Sequence, residues 1–362
     1  MNKVENNLLT YNQFSKIMIF SCITISILSL PNDVVGAAKQ DGWISVLLGG
    51  IYLFYIIIGA LYIAHNYPNE NILILNRKFF GKFFGSILNI VQLFIYVVYI
   101  VSEVSGISNF LRVYIVDFLS SFRVMFLYIV IAALCSYKGL KAIGRISEIV
   151  FYNIILSISI GIIALVKGSI LNVMPVFGSG FVNIVKGVKG GIYAYLGIEI
   201  VLLLYPYIND KNKLKTACIR SATLICLSYT WVTFATIFYL GHTFIPKAIW
   251  SSLYIIESLR LPIINNFRFI LMFLWIFVSL TAVTVNYYAC ELIIKDLLKK
   301  LKRNVFYFLS VPLMLYVSML LSEEIERREI IYPLASIICI FNVLYVLLMV
   351  LIVYFKKEKA YE

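Results

Sequence analysis

Two carboxylates in apolar surroundings are the residues most able to do chemistry. Glu199 stands in the middle of an apolar run, two residues after Gly197, and Glu103 belongs to a polar series in another run: Gln92, Tyr96, Tyr99, Glu103 and Gly106. That series steps by 4, 3, 4 and 3 residues, which puts all five on one helical face. An ionised carboxylate in hydrocarbon costs several kcal/mol without a partner, so Glu199 faces a protein interior, is protonated, or both. The tyrosine stripe lines an interior seam or cavity, or else packs a helix interface with its hydroxyls satisfied by neighbours. The chemistry on offer is hydrogen bonding, charge complementarity and proton exchange. Covalent chemistry has no visible machinery: there is no Gly-rich phosphate loop, no HExxH and no His/Asp pairing in an apolar run. His65 and His242 are the only histidines. Cys22, Cys135, Cys218, Cys226, Cys290 and Cys339 contain no CxxC pair and read as small core residues. Neither an enzyme nor a metal or other cofactor is expected.

A second group of residues marks where backbone itself becomes available. Ser26-Ile27-Leu28-Ser29-Leu30-Pro31 interrupts the first apolar run at about bilayer depth. Pro31 has no N–H and its ring clashes with the carbonyl of Ile27, while Ser26 and Ser29 offer hydroxyls in compensation. A matching interruption holds Gly190, Gly191 and Gly197 and closes on Tyr205-Pro206. Each glycine loosens a helix and allows close backbone approach. In hydrocarbon such breaks are tolerated only where protein or a water-filled cavity satisfies the freed groups.

The elements that must position these residues follow from composition. Of 362 residues, 62% are apolar and only 14% charged, with a mean hydropathy of +0.93. Soluble domains are nearer ~45–50% apolar, so this is a polytopic membrane protein and the lipid bilayer is its solvent. The net charge of +13 sits in short loops between apolar runs, which argues against a nucleic-acid surface. Spans of ~20 apolar residues can be drawn ten times: Phe14 to Pro31, Trp43 to Ala64, Phe84 to Phe110, Phe122 to Tyr137, Ile149 to Val166, Gly190 to Ile208, Ala217 to Leu240, Phe269 to Leu292, Val305 to Leu321 and Ile330 to Tyr354. An N-in, C-in arrangement places most of the 31 lysines and arginines inside, including Arg77, Lys78, Lys82, Lys299 and Lys300. Reading the first span as a cleaved secretory signal would leave nine and spoil that pattern. The outside segment Gly241 to Arg268, with Pro246, Trp250, Tyr254, Glu257, Arg260 and Pro262, reads as an interfacial helix over the outer mouth or as a surface loop.

Ten spans divide into two halves of five, about 14–166 and 190–354, within a single integral membrane domain, 1–362. Both halves open with an interrupted span closed by proline. Five is odd, so the halves have opposite topology, and interrupted segments at matching positions of an inverted repeat point to a binding site.

The motifs resemble a known family. Ile27-Leu28-Ser29-Leu30-Pro31, followed by Ala38-Lys39-Gln40-Asp41-Gly42-Trp43-Ile44-Ser45, together with Gly197-Ile198-Glu199 leading to Tyr205-Pro206, is similar to the B subunits of GerA-type spore germinant receptors, the spore permease branch of the amino acid/polyamine/organocation superfamily. One departure is that Thr24, Ile25 and Ser26 stand where relatives usually carry glycines. The resemblance implies an all-α, LeuT-like 5+5 inverted repeat with helices 1 and 6 broken. It implies a subunit that senses a small nutrient such as an amino acid and signals to A and C partner subunits in the spore inner membrane. On that expectation Ser26, Ile27, Leu28, Ser29, Tyr193, Tyr195, Leu196 and Gly197 form the ligand pocket, Tyr96 and Tyr99 shape its wall, and Glu103 and Glu199 supply charge or a proton or water path. The half-helix N-terminus after the first break is expected to take a ligand carboxylate and the carbonyls around Gly197 its ammonium group. The alternative is a proton-coupled amino acid permease with the same pocket.

Overall fold

Long apolar runs with few breakers become helices, because in lipid only a helix pairs its own backbone groups within one segment. The computed structural model describes residues 8–159, 161–257 and 267–358. Among the described residues the regular structure is helical, apart from one isolated parallel bridge between Leu9 and Ile208. The helices are α1 (Tyr11–Cys22), α2 (Ser26–Ala38), α3 (Gly42–Gly49), α4 (Ile51–Asn66), α5 (Ile72–Tyr114), α6 (Ser121–Tyr137), α7 (Leu140–Ser159) and α8 (Gly161–Lys167). They continue as α9 (Phe181–Ala194), α10 (Ile200–Leu204), α11 (Leu214–Leu240), α12 (Leu253–Glu257), α13 (Phe267–Leu297), α14 (Arg303–Met319) and α15 (Glu324–Glu358).

Among the described residues six helical stretches are long and apolar enough to cross a membrane: Ser26–Asn66, Ile72–Tyr114, Leu140–Lys167, Lys211–Leu240, Phe269–Leu297 and Glu324–Lys356. Their outward faces carry large apolar side chains such as Ile58, Phe83, Ile149 and Leu344, all exposed. A surface that apolar is a liability in water and is expected against lipid. The chain is therefore a multi-pass helical membrane protein. Its core packs α5 against α13, α9 against α2 and α3, and α11 against α1 and α3.

Local chemistry sets the helix ends. Thr10 caps α1 in a reciprocal capping box with Gln13, which satisfies two N-terminal donors. Between α2 and α3, Asp41 in the turn Lys39–Asp41 is buried and accepts from the Phe177 and Ser179 amides at 2.8 and 2.9 Å and from the Ser179 hydroxyl at 2.6 Å. Gln40 Nε2 donates to the Pro175 carbonyl at 3.2 Å. The Lys39-Gln40-Asp41-Gly42 motif thus anchors the loop that leads into α9.

Four sequence expectations change. The first break falls at Ile23–Ile25, ahead of the serine-proline motif, and Ser26 to Pro31 is helical, with Pro31 in the second turn of α2. The second interrupted helix starts at Phe181, not Gly190. Gly190 and Gly191 lie within α9, where a Cβ on Gly190 would stand 2.6 Å from the Asp33 carbonyl oxygen; that glycine serves close packing rather than a break. The last helix starts at Glu324 rather than Ile330. Finally, the described part of the 241–268 segment is a strap with an exposed outer side, held down by buried Ile245, Trp250 and Leu253 and ending in the short helix α12. Trp250 packs edge-on against Phe110 and Tyr114, and Asn32 Nδ2 donates to the Ile245 and Ala248 carbonyls at 2.7 and 2.5 Å. Arg260 and Pro262 lie outside the described residues.

Candidate functional site

The first break arises from a run of hydroxyl and β-branched residues that offers the backbone non-helical partners. Thr24 and Ser26 share a side-chain hydrogen bond at 3.0 Å, and the Ser26 amide reaches Thr24 Oγ1 at 3.4 Å. The Ile25 amide abandons the helix altogether. It donates to both oxygens of Glu103 on α5, at 3.1 and 3.2 Å, and Ser279 on α13 donates its hydroxyl to the same carboxylate. Glu103 therefore places its carboxyl group at the start of α2, the helix end at which the dipole favours negative charge. The expectation that a ligand carboxylate takes this end meets a position already filled.

The second break runs from Tyr195 to Glu199. Gly197 has φ +106°, a left-handed conformation that side chains rarely adopt, and a Cβ there would lie 2.1 Å from the Ser21 carbonyl oxygen. The second break thus packs on the last turn of α1, directly before the first break. Glu199 folds back onto its own break and accepts from the Gly197 amide at 3.0 Å, and Tyr99 of α5 donates its hydroxyl to the other oxygen. Each break is thus tied to α5, through Glu103 and through Tyr99 one turn before it. Among the described residues the carbonyls of Ser21 and Leu196 accept no backbone hydrogen bond.

Beside the two breaks lies a cavity of ≈ 120 Å³. Of the residues singled out from the sequence, Ser26, Ser29, Tyr99, Glu103, Tyr193 and Leu196 line it. Gly197 and Glu199 stand behind the wall. Four are placed elsewhere. Ile27 and Leu28 face a separate apolar cleft near Trp275. Tyr195 is fully buried against Tyr229 and donates to the Val46 carbonyl at 2.8 Å, and Tyr96 packs edge-on against Tyr99. Their positions follow from helical phase: once Ser26 begins a helix, Ser26, Ser29 and Asp33 share one face and Ile27 and Leu28 turn away.

Sequence reasoning missed Asp33, Arg327, Tyr332 and the cavity role of Asn286. Tyr332 donates to Asp33 Oδ1, and its ring stacks on Tyr193, whose hydroxyl bonds Ser336. Arg327 donates to Ser102 Oγ at 3.2 Å and makes a two-pronged contact with Glu324 at 2.9 and 2.6 Å. Asn286 Oδ1 is buried without a hydrogen-bond partner. A signal for α15 was present: Arg327, Ile331, Ala335 and Ile338 step by 4, 4 and 3. Apolar length alone does not reveal it, because Arg327 precedes the apolar run that begins at Ile330. Among the described residues no group of three or more His, Cys, Asp or Glu side chains could hold a metal.

A helical membrane protein with two interrupted helices packed beside a polar cavity has a LeuT-like fold. The crystal structure of MhsT in complex with L-phenylalanine aligns over 94% of this chain and 87% of its own at a TM-score of 0.67. Sequence identity is 15%, so the likeness is one of fold. The family profile described as spore germination protein matches residues 8–327, and the chain belongs to that family. Spore germination protein GerQB of Bacillus cereus is 26% identical over 72% of this chain and 72% of its own. Spore germination protein YndE of Bacillus subtilis (strain 168) is 25% identical over 81% and 82% respectively. The resemblance to GerA-type receptor B subunits is borne out, and with the fold it gives the chain a germinant-receptor, permease-like role.

Proposed function

We propose that this chain is the nutrient-sensing B subunit of a spore germinant receptor and that it binds an amino acid in the cavity beside the two helix breaks. The observation that carries the reading is the packing of the second break, at Gly197, on Ser21 directly before the first, next to a cavity whose wall holds groups of both signs. Asp33, the unpaired Asn286 Oδ1 and the free Leu196 carbonyl suit an ammonium group. Arg327 and the Ser26 and Ser29 hydroxyls suit a carboxylate. The structure of MhsT in complex with L-phenylalanine lends the same class of ligand support.

On this reading ten helices cross the inner membrane of the spore, N-in and C-in, as two inverted halves of five, about 14–166 and 190–354. Occupancy favours one arrangement of the bundle and signals to A and C subunits, a shift that needs only a few kcal/mol of differential affinity. The chain performs no catalysis. A second reading, a proton-coupled permease, is favoured by the two buried carboxylates on the breaks and uses the same cavity.

Spores carrying Asp33→Asn or Arg327→Gln, exposed to single amino acids with membrane levels checked by blotting, separate these readings. Loss of response to one nutrient with the protein present supports the receptor. An intact response with reduced uptake of that labelled amino acid points to the permease, and no change in either sinks the cavity assignment.

A further inference from the structure

The polar face of α5 does not stop at the cavity. From Tyr99 it continues through Tyr96, Gln92 and Asn89, so Glu103 to Asn89 makes about 21 Å of polar edge at 1.5 Å per residue. Where it ends, Asn89 Nδ2 donates to Asp296 Oδ2 at 2.9 Å, and Asp296 is paired with Arg77 at 3.0 Å. That pair opens on a basic face with Lys78, Lys82, Lys299 and Lys300, which the loop charges assign to the cytoplasm. Between the ends the polar groups are buried. Asn76 Nδ2 donates to Asn89 Oδ1 at 2.8 Å, and the Tyr345 hydroxyl donates to Asn76 Oδ1 at 2.6 Å. The Gln92 amide faces the Tyr345 hydroxyl, and one turn earlier on α15 Asn342 faces the Glu199 carboxylate and donates to the Tyr52 hydroxyl at 3.1 Å.

A seam that only packed helices would be cheaper if apolar, since each buried polar group costs about 1–3 kcal/mol unless it is paired. Gln92 is 7% exposed and its Oε1 has no hydrogen-bond partner. It marks the step at which the bonded chain from the basic face is interrupted. A line of polar groups joining a carboxylate at the helix break to a carboxylate at the surface is how intramembrane proton relays are laid out. We propose that this seam conducts protons between Glu199 and the basic face. Asp296, the Tyr345 hydroxyl and Glu199 exchange the proton through water. A side-chain amide does not itself relay a proton, so the direct bonds among Tyr345, Asn76, Asn89 and Asp296 must open to admit that water, which the freed amides then orient. One O–H bond breaks for each that forms, so no further reactant is required. The proposal rests on the reading of the cavity only for what lies beyond Glu199.

The test uses the purified full chain in liposomes loaded with potassium and the pH dye pyranine, with valinomycin added to set an inside-negative potential. Wild-type protein is expected to acidify the lumen faster than protein-free liposomes do, and Tyr345→Phe and Gln92→Leu are each expected to slow that flux about tenfold or more. Ile95→Leu, on the same helix in an apolar cluster, is expected to leave it unchanged. Tyr345→Phe keeps the ring, so the proposal stays testable if Gln92→Leu fails to fold. Flux no faster than in empty liposomes, or flux untouched by both substitutions, overturns the proposal. The assay contains no nutrient, so its outcome is independent of whether the cavity binds one.

Discussion

Gly197 illustrates how much can rest on one residue. Its φ of +106° and its approach to the Ser21 carbonyl leave no room for a Cβ. Gly197→Ala is expected to destabilise the protein by about 2–3 kcal/mol or more, combining backbone strain with a backbone clash. A lower melting temperature of the detergent-solubilised protein is the readout, and an unchanged one means that Gly197 does not pack on Ser21. Tyr99→Phe removes the hydroxyl that Glu199 accepts, and leaving that carboxylate short of a donor is expected to cost about 1–3 kcal/mol by the same measurement. At this scale the sequence was legible wherever a polar residue stood alone in an apolar run, as Glu199 and Glu103 do. Asp33 carries no such mark, because it follows Asn32 and lies past Pro31, where the first apolar run ends. The pairing of Ile25 with Glu103 was not legible, because it joins residues that only the tertiary fold brings together.

The elements show the same division. Apolar length found the helices, and the stripe on α5 marked the face that meets both breaks. Positions of the breaks were less legible, since they depend on competition between local helix bonds and distant partners. Pro31 is tolerated within α2, while hydroxyls and Glu103 unwind the three residues before it. The Asp41 anchor is a separate device at this scale. Asp41→Asn keeps the size but loses charge-assisted bonds to the 177–179 backbone. It is expected to lower stability by about 1–3 kcal/mol in thermal melts and to leave the choice of nutrient in a germination panel as it was. A change of preferred nutrient would mean that this loop shapes the site.

For the whole molecule, the arrangement is a bundle in which α1, α2, α9 and α10 carry the breaks and α5, α13 and α15 hold them. The proposed N-in topology expects a cysteine placed at Ser120 to react with an impermeant thiol reagent from outside, and one placed at Lys300 to react only once the membrane is opened. Both reacting from one side would reverse or break the assignment of loops drawn from charge. The account stands or falls on ligand occupancy of the cavity beside Gly197. Equilibrium binding of a panel of radiolabelled amino acids to the purified chain, compared with Asp33→Asn and Arg327→Gln, measures it directly. The account predicts saturable binding of at least one amino acid, lost or weakened about tenfold or more in both variants, as expected when a charged partner is removed. Binding that is unchanged in both variants, or absent for every amino acid, would contradict it.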